Sequence, residues 1–492
     1  MKKLHIIFIA ACMLVCLVPF VGMAFHPTKE STENRRLSEF PSATAKDGGL
    51  NMDFFKEFDT WFNEHFAFRN ELVAADGVIQ GTIFNTSAED QVIYGTDGWL
   101  YYSSTLGDYQ GTNCMDERER FNLQHNLGIV SSWAKEKGVE LLLTVPPNKN
   151  TLYGEHMPYY DAKIVNPSHT LDYLPEICKA SGTYYADLAE LFRNEEETLY
   201  LKRDSHWNGK GALLAYNKIM ESSFVQLNRK YLIPKDSVEE EGSGGKVTGS
   251  LEWNYEDYKD APATRAKDTV GDLNRMLYTY YGEKEMDTYY KVDQNFSYVT
   301  NTTSVEDAWI ETRAEGKLKT LLMFRDSFGN TLLPYVANQF GRSVFTKESP
   351  YRLEKLVTEQ RPDLVIMEKV ERNLRDYITQ PPIVNAPEIP KIEGINEGEN
   401  LNAEELEMKA EINPYDPSMV QISGTVPEKL VSTETEVILS VNGAFYQAFH
   451  TKTSGFVVYL DSEIVPDHSC NVQVILSHDG KCYMIAETTL SF

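Results

Sequence analysis

Unbroken apolar runs constrain this chain more than any other feature. Val139-Glu140-Leu141-Leu142-Leu143-Thr144-Val145, Leu321-Leu322-Met323-Phe324 and Pro362-Asp363-Leu364-Val365-Ile366-Met367 show no apolar/polar alternation. A strand that is apolar on both faces has to be covered on both, which is the mark of a parallel sheet between helices. Gly138 precedes the first run and Pro146-Pro147 stops it. Thr183-Tyr184-Tyr185-Ala186-Asp187 reads as a further strand. Helical patterns fall between the strands, at Glu117 to Lys137, Lys210 to Phe224 and Asn330 to Phe340. The expectation is an α/β domain with a parallel sheet.

Around this centre the chain divides into segments. Lys2 and Lys3 precede an apolar run from Leu4 to Phe25, the pattern of a signal peptide or membrane anchor (1–25). Ile9-Ala10-Ala11-Cys12 matches a lipoprotein box, but the apolar stretch before it is too short. A polar tether follows at 26–48. From Asn51 to Val78 the aromatic positions Phe54, Phe55, Phe58, Trp61, Phe62 and Phe66 recur at helical spacing. Gly95-Thr96-Asp97-Gly98 joins two short strands in a hairpin. The α/β domain is expected over 49–380. Its insert at about 226–315 is rich in Tyr, Asp and Gly, with Glu239 to Gly245 looking flexible. A Pro- and Glu-rich linker is expected at 381–414. From 415 to 492 the pattern changes to period two, as in Glu436-Val437-Ile438-Leu439-Ser440-Val441, and predicts an independently folding β-sandwich of Ig-like size. Tyr446, Phe449, Phe456 and Tyr459 make it a candidate for glycan stacking.

Charge and cysteine use limit the function. With 73 acidic and 47 basic side chains and a net charge of −26, the chain lacks the basic face of a nucleic-acid binder. Its 6 cysteines imply no disulfide framework. The Asp479-Gly480 turn pairs Ser477 with Cys482 and sets Cys470 opposite Thr489, so those two sulfurs should not meet. No metal-ligand spacing appears: Asp204 and His206 lack a third and fourth ligand at any familiar interval.

Two loops carry candidate chemistry. Leu321 to Asn330 reads as a strand, a tight turn bearing Ser327, and a helix whose first N–H groups suit a developing oxyanion. Ser327 could equally be a helix cap. Arg203-Asp204-Ser205-His206-Trp207-Asn208-Gly209 precedes another helix. There Asp204 could hold one ring nitrogen of His206 and leave the other free. The alternative is a helix-start loop, with Asn208 as the cap and His206 packed on Trp207. Ligands of open α/β sheets bind outside the carboxyl ends of strands. That makes Asn148 a candidate oxyanion donor, with Arg325, Phe328, Gly329, Glu371 and Arg372 as further oxyanion or substrate-binding candidates. A structural ion pair is the other reading of Glu371 and Arg372. Gly271-Asp272-Leu273-Asn274-Arg275-Met276-Leu277 has no explanation in periodicity and reads as a segment that folds the insert back onto the sheet.

These blocks carry a resemblance. Asp204-Ser205-His206-Trp207 resembles the signature of the DHHW proteins. The chain is similar to the alginate O-acetyltransferase (AlgX/AlgJ-like) branch of the SGNH-hydrolase superfamily. Glu33-Asn34-Arg35-Arg36-Leu37, Asp97-Gly98-Trp99-Leu100-Tyr101, Pro147-Asn148-Lys149, Gly271 to Leu277, Asp326-Ser327-Phe328-Gly329 and Val370-Glu371-Arg372 agree with it in order. The resemblance implies a three-layer α/β fold with permuted motif order, in which Ser327 is nucleophile, His206 general base and Asp204 orienting acid. Ser205 stands where the family name has His and is expected to face away. Arg325 stands where such enzymes often carry Gly. The implied function is an exported, membrane-anchored or secreted O-acetyltransferase of a cell-surface or exported polysaccharide. It would need no cofactor, and a membrane acyltransferase is a possible acetyl supplier. A carbohydrate acetylesterase and a non-catalytic glycan-binding scaffold of an export system are the alternatives.

Overall fold

The computed structural model describes all residues except 1, 24, 26–37, 45–48, 70, 73–89, 224–238, 241–262, 278–283, 391, 393, 399, 466 and 467. Most of the expected tether, the end of the aromatic helix and much of the insert, including 241–245, lie outside the described residues. Lys2–Gly22 (α1) and Phe54–His65 (α2) are helices. Among the described residues, no helix is long and apolar enough to cross a membrane.

The hairpin of Val92–Tyr94 (β1) and Leu100–Tyr102 (β2) leads to Glu117–Glu136 (α3), which starts at a capping box between Asp116 and Glu119. Then follow Glu140–Thr144 (β3), Leu174–Ser181 (α4), Tyr184–Ala186 (β4) and Gly209–Ser222 (α5). The insert contributes Ala263–Thr269 (β5), Asp272–Leu277 (α6) and Glu285–Lys291 (β6). The chain returns through Ser297–Tyr298 (β7), Trp309–Arg313 (β8), Thr320–Phe324 (β9), Gly329–Ala337 (α7), Arg342–Thr346 (β10), Leu353–Gln360 (α8) and Leu364–Glu368 (β11).

A seven-stranded sheet has the order β4-β3-β11-β9-β10-β8-β7. Its first five strands are parallel; β8 and β7 add antiparallel at one edge. The unbroken apolar runs split by period two between its faces. Leu141, Leu143, Leu322, Phe324, Val365 and Met367 pack with α3, α4 and α8. Leu142, Leu321, Met323, Leu364 and Ile366 pack with α5 and α7. The three layers are therefore as the sequence predicts, and the carboxyl ends of β3, β9 and β11 open on one edge.

The C-terminal region is β-rich. A six-stranded and a four-stranded sheet enclose one apolar core that includes Val420, Leu439, Val458, Val474 and Leu476. The segment expected as a linker is part of it. Glu388–Ile389, Asn396–Glu397 and Lys409–Ile412 are strands of these sheets, and Leu401, Leu406 and Met408 enter the core. Short apolar islands in a Pro/Glu-rich stretch hide strands that are edge members of a sheet. Tyr446, Phe449, Phe456 and Tyr459 are all buried, so they present no glycan-stacking face. Ser477 pairs with Cys482 as expected, but a bulge at Val474/Ile475 shifts Cys470 opposite Leu490. Cys114, Cys178, Cys470 and Cys482 are free thiols.

This region packs directly on α3. Arg118, Asn122, His125 and Asn126 form one stripe of that helix and all bond to main-chain carbonyls of the β-rich region. Arg118 donates to Thr453 O, Thr433 O and Thr435 O at 3.1, 3.0 and 2.7 Å. Asn122 Nδ2 donates to Lys452 O at 2.6 Å, and His125 Nε2 lies 3.0 Å from Ala448 O. Asn126 exchanges bonds with the main chain of His450 at 2.9 and 2.8 Å and donates to Tyr377 O at 3.0 Å. Met419, Phe449, Val457 and Tyr459 share one apolar cluster with the α3 face of the sheet.

Truncating Asn126 leaves three buried main-chain groups unpaired, so Asn126→Ala should lower the unfolding free energy by about 3 kcal/mol, read by urea titration of the full chain. The interface should also be acid-sensitive. The His450 ring stacks on His125 with centroids 4.1 Å apart, and its Nε2 accepts from Val437 N–H at 3.2 Å. Burial first, then the charges of His125 and Arg118, push His450 well below the usual histidine value. Below about pH 6.5 the unfolded chain therefore binds a proton that the folded chain refuses. Stability should fall from pH 7 to pH 5, and His450→Gln should shrink that difference.

Candidate active site

Two local devices shape the histidine loop. An isolated bridge between Tyr200 and Trp207 closes 201–206 into a tight loop, with Leu201 N–H on His206 O at 3.3 Å. Asn208 then caps α5, its Oδ1 accepting from Gly211 N–H at 2.9 Å. His206 packs not on Trp207 but on the Phe328 ring, centroids 4.7 Å apart. Trp207 is fixed separately by a bond from Nε1 to Thr331 Oγ1 at 2.6 Å.

The serine turn follows β9. Asp326 braces it: its carboxylate accepts from Phe328 N–H at 2.9 Å and Val370 N–H at 2.8 Å. Its own N–H donates to Glu368 Oε2 at 2.9 Å. Burial, then the charge of Asp326, raises Glu368 well above the usual carboxyl range. Gly329 allows the close approach, since a Cβ there would lie 2.7 Å from Arg325 Cβ and 2.9 Å from Glu368 Oε2. Ser327 is not the helix cap. Phe328 holds the N-cap position of α7, with no side-chain cap bond.

The hydroxyl instead meets the histidine. Ser327 Oγ lies 2.8 Å from His206 Nε2, and His206 Nδ1 lies 2.7 Å from Asp204 Oδ1. Asp204 is itself held from three sides: Oδ1 also accepts from His206 N–H at 3.0 Å, and Oδ2 accepts from Asp272 N–H at 2.9 Å. Burial alone would raise Asp204. The His206 bond and charge, with the two N–H donors, outweigh it and hold the carboxylate below its usual range. Burial pushes His206 down, but the Asp204 bond and charge and then the Asp272 and Asp326 charges bring it above the usual value. That is the electrostatic arrangement of a strong base beside a hydroxyl.

Sequence reasoning missed three contributors. Lys149 is buried; its Nζ donates to the carbonyls of Leu201, Lys202 and Asp204 at 3.1, 2.9 and 2.6 Å, so it holds the loop from below. Burial pushes its ammonium down to about 7, opposed by Asp204, Asp272 and Glu285. Asp272 is the second. Ser205 is the third: it does not face away. Its N–H and hydroxyl donate to the Asp272 carboxylate at 2.7 and 2.5 Å, and its Oγ lies 3.3 Å from His206 Nδ1. Only the unexplained Gly271-to-Leu277 block hinted at Asp272. Asp204, His206 and Asp272 bring ligand-type atoms within 4.8 Å of one another, a third such residue that spacing in sequence did not show. Both imidazole nitrogens are engaged with Asp204 and Ser327, and the cluster is described by those hydrogen bonds.

The remaining candidates do not converge on Ser327. Arg325 is buried, donating to Asn330 and to the carbonyls of Val305 and Asp307 at 2.9 and 3.0 Å. Asn148 spends Nδ2 on Asp108 at 2.8 Å and its N–H on Glu371 at 2.8 Å. Glu371 also accepts from Thr151 Oγ1 at 2.7 Å, and burial raises it to about 8. Arg372 lies over the Tyr102 ring at 5.4 Å; among the described residues no ion pair joins it to Glu371. The Phe328 N–H is taken by Asp326, which leaves Gly329, at the start of α7, as the one candidate from the turn not spent in this bracing.

Residues 92–256 match the family described as SGNH hydrolase-like domain, acetyltransferase AlgX. Among curated proteins, a probable alginate O-acetylase AlgJ of Pseudomonas aeruginosa is 25% identical over 176 residues, 35% of this chain and 42% of that relative. The chain thus spans about two fifths of the relative it matches. Among solved structures, Bacillus cereus PatB1 aligns at 18% identity over 57% of this chain and 96% of its own, with TM-score 0.40. A DHHW family protein from Eubacterium siraeum aligns at 14% over 51% and 85% (TM-score 0.36), and P. aeruginosa AlgX at 16% over 79% and 90% (TM-score 0.36). The family model and the curated relative point to the same AlgX/AlgJ-like resemblance that the motifs carry. The family match contains Asp204 and His206 and ends before Asp272 and Ser327.

Replacing Lys149 by Met keeps the aliphatic stem, strips the Leu201 and Asp204 carbonyls of their donor, and leaves Lys202 O with the Leu100 N–H at 2.9 Å. Urea unfolding should then show a loss of about 3 kcal/mol. An unchanged midpoint would mean that the loop holds its shape without the ammonium.

Proposed function

We propose that this chain is an extracytoplasmic, SGNH-like O-acetyltransferase that acetylates a cell-surface or exported polysaccharide. The observation that carries the reading is the continuous contact of Ser327 Oγ with His206 Nε2 and of His206 Nδ1 with Asp204. Ser327 attacks the acetyl carbonyl as His206 takes the hydroxyl proton. The tetrahedral oxyanion is met by the Gly329 N–H at the start of α7, where the helix dipole is positive. Collapse expels the donor's leaving group, which takes the proton from His206, and leaves an acetyl ester on Ser327. A sugar hydroxyl then repeats the sequence: His206 takes its proton, the oxygen attacks the ester, and Ser327 recovers the proton as the acetylated sugar leaves. Asp204 keeps the imidazole oriented and stabilises its charged form.

The AlgX-type match supports acetyl transfer, the alginate O-acetylase relative supports a polysaccharide acceptor, and the basic-then-apolar leader supports export or anchoring. The acetyl donor on the outer face would be a small acyl compound or a membrane acyltransferase partner. Water in place of the sugar turns the same cycle into an acetylesterase.

The test is turnover of a chromogenic acetyl ester with and without oligosaccharide acceptors. Acetylated sugar is the expected product; acetate alone makes the protein an esterase, and no turnover by the folded chain favours a scaffold. Ser327→Ala and His206→Ala should each lower turnover by about three orders of magnitude or more, and the double variant should be little worse than either. Because Ser327 caps nothing, Ser327→Ala should leave the thermal midpoint unchanged. Normal turnover by that variant, or multiplicative losses in the double one, would rule out the assignment.

A further inference from the structure

We propose that Asp272, carried in by the insert, is a positioning residue that works with Ser205 to hold Asp204 and His206 in register, so that the site is complete only when the Gly271-to-Leu277 segment is docked. This rests on reading Ser327, His206 and Asp204 as the reacting unit.

The hydrogen bonds form a closed ring between two segments more than sixty residues apart. Asp272 accepts the N–H and the hydroxyl of Ser205 on its two carboxylate oxygens, while its own N–H donates to Asp204 Oδ2. Each segment therefore fixes the carboxylate of the other. The same Asp272 Oδ2 lies 3.5 Å from His206 Nδ1. The contact is built into the backbone: a Cβ at Gly271 would collide with the carbonyl of Arg203, so the segments can approach this closely only with glycine there. Asn274 N–H seals the junction on Arg203 O at 3.1 Å. On the insert's other side, the Glu285 carboxylate accepts the N–H groups of Lys202 and Arg203 at 2.9 and 3.0 Å. A loop held this way does not need to reorganise when the imidazole takes a proton.

The charge of Asp272 has a second consequence. His206 faces Asp204 from its own loop, Asp272 from α6, Asp326 from the serine turn and Glu306 from the segment before β8. Around that shell lie Lys149 below the loop, with Asp287 and Glu285 of β6 acting on Asp204 and Lys149. Asp272 is the nearest carboxylate to Nδ1 after Asp204. Removing its charge lowers the proton affinity of the imidazole, and an acid limb that reports neutral His206 then moves to lower pH.

The experiment follows the His206 ring by nitrogen-15 NMR against pH in the full chain, beside the pH profile of ester turnover. In Asp272→Asn the His206 midpoint should fall by about one pH unit or more, with the acid limb of kcat/KM moving by a similar amount. The plateau kcat should drop about tenfold or more with KM for a small ester unchanged. A folded Asp272→Asn protein with the wild-type midpoint overturns the proposal. The NMR arm needs no turnover, so a chain that lacks esterase and transferase activity would refute the proposed function while this arm still decided the role of Asp272. Should Asp272→Asn fail to fold, Ser205 decides. Ser205→Ala should lower turnover about tenfold and Ser205→Thr should restore it; full activity in Ser205→Ala overturns the proposal.

Discussion

The carboxylate of Asp204 is the point on which the site turns. A buried carboxylate is costly unless hydrogen bonds and an opposite charge offset the loss of water. Asp204 gets both from groups that no single segment could supply: the His206 ring and N–H from its own loop, and the Asp272 N–H from the insert. Lys149, from the end of β3, ties down the carbonyls of the same loop. Together these contacts hold the imidazole where its other nitrogen lies 2.8 Å from Ser327 Oγ.

The same edge of the sheet holds further buried acids in different states. Glu368 sits under the serine turn and Glu371 under the β3 end, both with raised affinity for a proton because burial disfavours their charge. Neither is within the Ser327–His206–Asp204 chain of contacts. Glu368 and Asp326 brace the turn; Glu371 locks Asn148 and Thr151. The strand ends thus divide their labour: the one after β9 exposes a hydroxyl, and those after β3 and β11 spend their polar groups on rigidity. That division is why Asn148, Glu371 and Arg325, all oxyanion or substrate candidates from their location at strand ends, are bonded to groups other than Ser327 here.

A similar exchange of roles occurs on α3. Arg118, Asn122, His125 and Asn126 are polar residues on one stripe, which in an isolated helix is the side facing water. Here the stripe carries the β-rich region, because main-chain carbonyls at its edge need donors and the helix offers them. Apolar residues of both regions then merge in one cluster. The β-rich region is therefore bound along α3, and residues 388–389, 396–397 and 409–412 contribute strands to its sheets.

By itself, the sequence determined the doubly covered parallel sheet, the hairpin, the period-two strands, and the loops that bear Asp204, His206 and Ser327. These are local properties: strand periodicity, helix starts and the exposure of strand ends are written in adjacent residues. The tertiary structure alone decided that Ser327 meets His206 and does not cap its helix, that Ser205 faces inward, that Asp272 and Lys149 complete the loop, and that residues 388–412 are strands. In each case the deciding partner lies tens to hundreds of residues away. A hydrogen bond between distant segments leaves no periodic trace in either, so it becomes visible only when the chain brings the two together.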